Sequence, residues 1–520
     1  MIEKYLNNRL IILLICPFAI GCLSTLSFEP FNFTLINLLI FPLFFYLLVY
    51  INKKTKGIYR KKPYKKNLFI FGLVFGFGFY LSGISWITNS LTFDENFKFI
   101  IPFALILIPL FLSLFSGFTA LLVGPYLKLD FPSLIIFSAS FAFSDYLRAN
   151  ILSGFPWNLW AYSTSNNNEI LQILNLIGLH SYNLFVITLF TFPVILLFRI
   201  DKIKKLLSVT LFVLIIFSLY IYGNYKINKN KEILDNINQK TYVKVVSPNF
   251  NLEYGLNTKQ IEERLKRLIR YSEPDENKKT LFVWPEGVFS GYSFDQIFSF
   301  RKLISKNFSE KHYIIFGINK LDTSSGSFYN SLFIINNNLE IIQSYNKRKL
   351  VPFGEFLPFE SILIKFGLKK ITEGHGSFLR GKEDNNLVID NLIILPLICY
   401  EIIFSELIQK SDESTNLIIN ISEDGWFGKS IGPDQHFAKS IFRAIENNTF
   451  LLRSTNKGIS AIVDNNGNIM KKLNRNEAGN IEFEVPLIKS NKNKNDLIFF
   501  ILLITYLLTF LIYRKQNAKH

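Results

Sequence analysis

Three apolar runs in this chain each end on a residue able to do chemistry. "LPLICYEIIF" at 395–404 carries Cys399 with Tyr400 and Glu401 directly after it, "FVWPEG" at 282–287 delivers Glu286, and "SYNKRKLVPFGE" at 344–355 delivers Lys347 and then Glu355. Catalytic groups favour the places where a rigid strand hands the chain to a loop. A thiol with a pKa of about 8.5 is mostly protonated near neutrality, so a nucleophilic cysteine needs a proton acceptor or a cationic neighbour. A glutamate can supply the first, and a lysine can supply the second while also facing the oxyanion of an attacked carbonyl. Taken singly, each residue has a plainer reading. A buried cysteine packs as a small hydrophobe, a strand-end glutamate is solvated, a lysine in a basic cluster lies on a wet face, and Glu401 opens a helix. Their occurrence together, in one order, is what points to covalent acyl chemistry.

The elements that must position them run from about 225 to 495. Strand-like segments at 242–250, 280–287, 313–320, 329–336, 341–347, 388–400 and 416–421 alternate with amphipathic helices near 257–272 and 433–449, and "DNNGN" at 464–468 reads as a hairpin turn. This alternation predicts an α/β domain with sheet packed under helices. Pro285 stops its strand from continuing as a central ladder, which frees Glu286 to turn out of the sheet.

The rest of the chain is different in kind. The whole sequence is 49% hydrophobic with 54 phenylalanines, and the apolar residues concentrate before residue 224. Runs of the length that spans a bilayer, about 20 residues, fall at 10–28, 33–51, 67–87, 99–124, 133–148, 170–198, 205–223 and 496–513. The expected organisation is therefore a membrane part at 1–224, a water-facing domain at 225–495, and a last span with a short tail at 496–520. The net charge of +17 sits largely in short loops such as "NKKTKGIYRKKPYKK" at 52–66. Basic loops stay cytoplasmic, so Lys4, Arg9, "RIDKIKK" at 199–205 and the C-terminal tail all fall on one side and the 225–495 domain on the other. That placement accounts for the charge without nucleic acid. Cys399 is alone in the polar domain, so no disulfide framework exists there. No zinc-ligand spacing and no phosphate-cradling glycine loop is present, so neither metal nor cofactor is expected.

The order Glu286, Lys347, Cys399 resembles the Glu-Lys-Cys triad of the carbon–nitrogen hydrolase (nitrilase) superfamily. With "LVPFGEFLP", "CYE", "DGWFGKSIGPDQHF" and "LLRSTNKGISA" in the polar domain, and "FEPF" (28–31), "GISWI" (83–87) and "SGFPWNLW" (153–160) before it, the chain resembles the apolipoprotein N-acyltransferases over nearly its whole length. The resemblance implies an extracytoplasmic αββα sandwich, with Glu286 as base, Lys347 as the triad lysine, Cys399 as nucleophile, and Glu355, Tyr400 and Glu401 in support. It further implies acyl transfer from a phospholipid, typically phosphatidylethanolamine, through a cysteine thioester to the N-terminal amine of a diacylglyceryl apolipoprotein, by a monomer in the bacterial inner membrane. Tethering fits such substrates, because drawing an acyl chain into water costs about 0.8 kcal/mol per methylene. The stretch 356–370, with Lys365, Lys369 and Lys370 on a polar face, is an expected interfacial arm or a packed helix. Where the family stretch reads Asn-Asp, this chain has Glu423-Asp424, and the role of Glu423 stays open. The alternative reading is a membrane-anchored amidase or nitrilase-type hydrolase.

Overall fold

The computed structural model describes residues 8–56, 63–253, 255–363, 365, 377–382, 386–410, 412–490 and 495–517. By internal contacts the chain divides into two units: Met1–Thr88, Lys98–Lys226 and Asn493–His520 form one, and Asn89–Phe97 with Ile227–Lys492 form the other.

The first unit is helical. Among the described residues, six helices are long and apolar enough to cross a membrane: Thr34–Lys54, Lys65–Thr92, Glu95–Tyr126, Leu174–Leu197, Lys202–Asp235 and Asp496–Gln516. The expected spans at 10–28 and 133–148 are helical too but do not join this set. The first forms the shorter apolar helix Ile11–Ser27, and the second lies in Phe131–Asn150, whose polar end buries the ion pair Arg148–Asp145 at 2.9 Å. Small residues let these helices approach closely. A Cβ on Gly21 would stand 2.2 Å from the Phe75 carbonyl oxygen, and one on Gly78 would stand 2.4 Å from that of Phe18. Of the basic positions used for orientation, Lys4, Arg60, Lys61, Lys62 and Lys519 lie outside the described residues.

Among the described residues the second unit contains twelve strands: β1 (Lys240–Ser247), β2 (Thr280–Val283), β3 (His312–Leu321), β4 (Phe328–Ile335), β5 (Ile341–Asn346), β6 (Leu387–Ile389), β7 (Leu392–Ile398), β8 (Leu417–Glu423), β9 (Phe450–Asn456), β10 (Ser460–Val463), β11 (Ile469–Leu473) and β12 (Gly479–Pro486). They make two six-stranded sheets, in the orders β12-β1-β2-β3-β4-β5 and β11-β10-β9-β8-β7-β6. The expected strand at 388–400 is two strands, because Asp390 takes a left-handed turn (φ 50°) between β6 and β7.

Alternation of side chains along each strand builds the layers. Leu281 and Val283 of β2 join Ile394 and Ile398 of β7 and Ile419 and Ile421 of β8 in the core between the sheets. Phe282 and Trp284 point the other way, into a core with Ile261, Leu265 and Leu268 of the helix Thr258–Ser272. That helix starts on a capping box, with Asn257 and Gln260 each accepting from the other's backbone. Trp284 is fully buried there and donates to Ser272 Oγ at 2.8 Å, so it belongs to the core. The helix Gly432–Asn447 packs against β9 and β10 of the second sheet. Residues 364 and 366–370 of the expected arm, including Lys369 and Lys370, lie outside the described residues.

Candidate active site

In open α/β sheets the carboxyl ends of parallel strands are where chemistry gathers. β7 and β8 run parallel, so Cys399 and Glu423 leave their sheet at one edge. β2 delivers Glu286 three residues past its end, and Gly287 then takes φ 74°, which a Cβ would resist. β5 delivers Lys347, whose backbone N–H still donates to Asn330 on β4 at 2.8 Å.

Lys347 is buried between two carboxylates. Its Nζ lies 2.9 Å from Glu355 Oε1 and 3.8 Å from Glu286 Oε1. Asn330 Nδ2 bridges the same pair, donating at 2.7 Å to Glu286 Oε1 and at 2.7 Å to Glu355 Oε1. Burial alone would strip the proton from Lys347, yet Glu355 and then Glu286 outweigh it and its pKa is raised. The lysine is a fixed cation. Lys349, two residues on, pairs instead with Glu406 and lies over the Phe404 ring at 4.8 Å.

Cys399 has φ 50°, the left-handed conformation that side chains other than those of Asn and Asp seldom take. It is 9% exposed. Burial pushes its thiol up and Glu286 adds to this, while Lys347 and a hydrogen bond with Ser422 pull down without reversing the shift. The resting sulfur is therefore a thiol, and any attack by it requires proton removal as the new bond forms.

The elbow is held from two directions. Glu401, with no exposed surface, accepts from the N–H groups of Arg348 (2.7 Å) and Lys349 (3.0 Å) and from Tyr345 Oη (2.8 Å) with one oxygen, and from Ile398 N–H (2.9 Å) with the other. One carboxylate thus ties the lysine loop to the cysteine strand. On the far side, His436 Nε2 lies 3.2 Å from the Cys399 carbonyl oxygen, and Arg453 donates to both His436 Nδ1 (2.9 Å) and Asp424 Oδ2 (2.9 Å). Burial and Arg453 push His436 down to about 4, so the neutral ring with its proton on Nε2 donates to the elbow carbonyl. Burial would raise Asp424, but Arg453 holds it down at about 2.

Residues 20–192 match the apolipoprotein N-acyltransferase N-terminal domain family, and residues 252–490 match the carbon-nitrogen hydrolase family. The apolipoprotein N-acyltransferase of Rickettsia typhi is 32% identical over 483 residues, 91% of this chain and 92% of that protein. This chain belongs to the apolipoprotein N-acyltransferase family. The enzymes of that name from Rhodopseudomonas palustris (27% identical, 90% of this chain, 88% of that one) and Brucella melitensis (28%, 91% and 89%) align over similar lengths. As a member of the apolipoprotein N-acyltransferases it is an acyltransferase whose catalytic domain has the carbon–nitrogen hydrolase fold. An anchored amidase would fit the second match but leave the first unexplained.

Within this member of the family, the structure brings Glu286, Lys347, Glu355, Cys399 and Glu401 together, while Tyr400 sets its ring edge-on to Phe404 at 5.1 Å. Sequence reading missed Asn330, Ser422 and the Asp424–Arg453 pair. Asn330 had a signal, being an amide inside the apolar strand run "FYNSLFII". Glu423 donates its backbone N–H to Glu286 Oε2 at 3.1 Å, and its carboxylate oxygens accept from Gly425 N–H (2.9 Å) and Asn456 Nδ2 (2.7 Å). Burial raises its pKa to about 8, and Glu286 adds to the rise.

Proposed function

We propose that this chain moves an acyl chain from a membrane phospholipid to the α-amine of a diacylglyceryl-cysteine at the N-terminus of a lipoprotein, through a thioester on Cys399. In the first half-reaction Glu286 takes the thiol proton as Cys399 Sγ attacks the ester carbonyl, and the oxyanion forms against the charged Lys347. Collapse expels the glycerol oxygen, which takes the proton back from Glu286 and leaves as lysophospholipid. In the second, the acceptor amine attacks the thioester, Glu286 again takes a proton, and the sulfur leaves and is reprotonated. The observation that carries this reading is the buried lysine held between Glu286 and Glu355 and acting electrostatically on a thiol that is protonated at rest.

The test is direct. Purified enzyme mixed with phospholipid vesicles and no acceptor should release one lysophospholipid per chain and carry a hydroxylamine-labile acyl group on the Cys399 peptide by mass spectrometry. Continuous hydrolysis with no acyl-enzyme would instead make it an anchored hydrolase.

The charge pattern supports an inner-membrane protein with the 225–495 domain outside the cytoplasm, where lipoprotein N-termini are exposed. A reporter that matures only outside the cytoplasm should be active when fused after Tyr225 and silent after Lys62. The reverse pattern would overturn this orientation.

A further inference from the structure

The turn at 423–428 touches both halves of the chemistry. At its start, Glu423 N–H holds Glu286 Oε2 at 3.1 Å. One residue later, Asp424 accepts from Ser422 Oγ (2.6 Å) and from Arg453, and lies 3.0 Å from His436 Nδ1, the ring whose other nitrogen holds the Cys399 carbonyl. The Phe427 ring sits edge-on to His436 with centroids 5.2 Å apart. Whatever fixes this turn fixes the base and the nucleophile relative to each other.

Its far end is fixed by a segment remote in sequence. Asn89 Nδ2 donates to the Phe427 carbonyl at 2.7 Å, across 338 residues of chain. Phe93 meets Trp426 edge-on at 5.3 Å. Gly428 has φ 58°, and a Cβ there would stand 3.1 Å from Asn89 Nδ2, so the Asn89 side chain lies close against the turn at a position whose backbone favours glycine. The segment Asn89–Phe97 groups by contacts with the catalytic unit, although in sequence it joins the apolar helices Pro63–Ile84 and Ile101–Val123.

We propose that Asn89–Phe97 is a clamp on the 423–428 turn and that Asn89 is a positioning residue for acylation, acting through Phe427 and the turn on Glu286 and on the Cys399 elbow. This rests on the reading above, in which Glu286 takes the thiol proton. Releasing the turn loosens the Glu423 N–H from Glu286. The base then stands displaced from the thiol, which slows acylation without weakening phospholipid binding. A lower burst rate at an unchanged half-saturating phospholipid concentration reports this, and a contact that served stability alone would leave the burst of the folded enzyme unmoved.

The experiment uses full-length enzyme in phospholipid vesicles, reading the burst of lysophospholipid release without acceptor against phospholipid concentration for wild type, Asn89→Ala and Gly428→Ala, with thermal melting beside it. Gly428→Ala attacks the same contact from the opposite side. Both variants should stay folded and burst about 10- to 100-fold more slowly, the scale of a small misplacement of reacting groups, with the half-saturating phospholipid concentration unchanged. Unchanged bursts, slower bursts that come with weakened phospholipid saturation, or loss of the fold in both variants would each overturn the clamp. Absence of any burst from wild type would sink the thioester reading instead, so the two failures are distinct.

Discussion

Cys399→Ala should fold and never carry an acyl group. Alanine at φ 50° bears the same backbone strain as cysteine, so the change removes one buried sulfur and costs about 1 kcal/mol of stability, as a typical point substitution does. Transfer, in contrast, should fall by a factor on the order of 10⁵ or more, the scale seen when a covalent nucleophile is deleted. Cys399→Ser should fail nearly as badly, because Glu286 is too weak a base to help generate an alkoxide from a hydroxyl. Lysophospholipid release and acceptor acylation, measured separately, check both halves. Transfer by Cys399→Ala at the wild-type rate would return "LPLICYEIIF" to ordinary core.

Lys347→Met should abolish thioester formation, and Lys349→Met should not. The two lysines are two residues apart and share a basic run, so the contrast is sharp. Lys347 is buried against Glu355 and Glu286, whereas Lys349 turns to Glu406 and the Phe404 ring. Removing an oxyanion-stabilising group costs about 3–4 kcal/mol of transition-state stabilisation. Lys347→Met also leaves two carboxylates facing each other in a buried site, and breaking one side of such a cluster destabilises by about 3–5 kcal/mol. Burst amplitude together with melting temperature separates the two effects. Equal loss of burst in both variants would overturn the assignment of Lys347 as the catalytic lysine.

The parts of this molecule that could be read from sequence share one property: their signal is local. A strand-like run ending in a charged or thiol residue marks a strand end, and Glu286, Lys347 and Cys399 each stand at one. The helix Thr258–Ser272 is marked by its amphipathic spacing and by Asn257 at its cap. What stayed hidden depends on partners far apart in the chain. Asn330 shows locally only as an amide in an apolar run, and its importance comes from bridging Glu286 and Glu355, which lie far from it in the chain. Glu401 reads as the first acidic residue of a helix, and only the facing of two sheets turns its carboxylate toward Arg348 and Lys349. β12, pairing antiparallel with β1 from the far end of the domain, is invisible for the same reason.

Glu286, Asn330 and Lys347 belong to one sheet and Cys399 and Glu423 to the other. The reacting groups therefore straddle the seam between the sheets. Within each sheet hydrogen-bond ladders set the register, whereas across the seam the shared core is apolar and sets none. Glu401 and the Glu423 N–H act as dowels across that seam. A displacement of a fraction of an ångström, too small to disturb a single strand pair, is enough to take the thiol out of reach of its base.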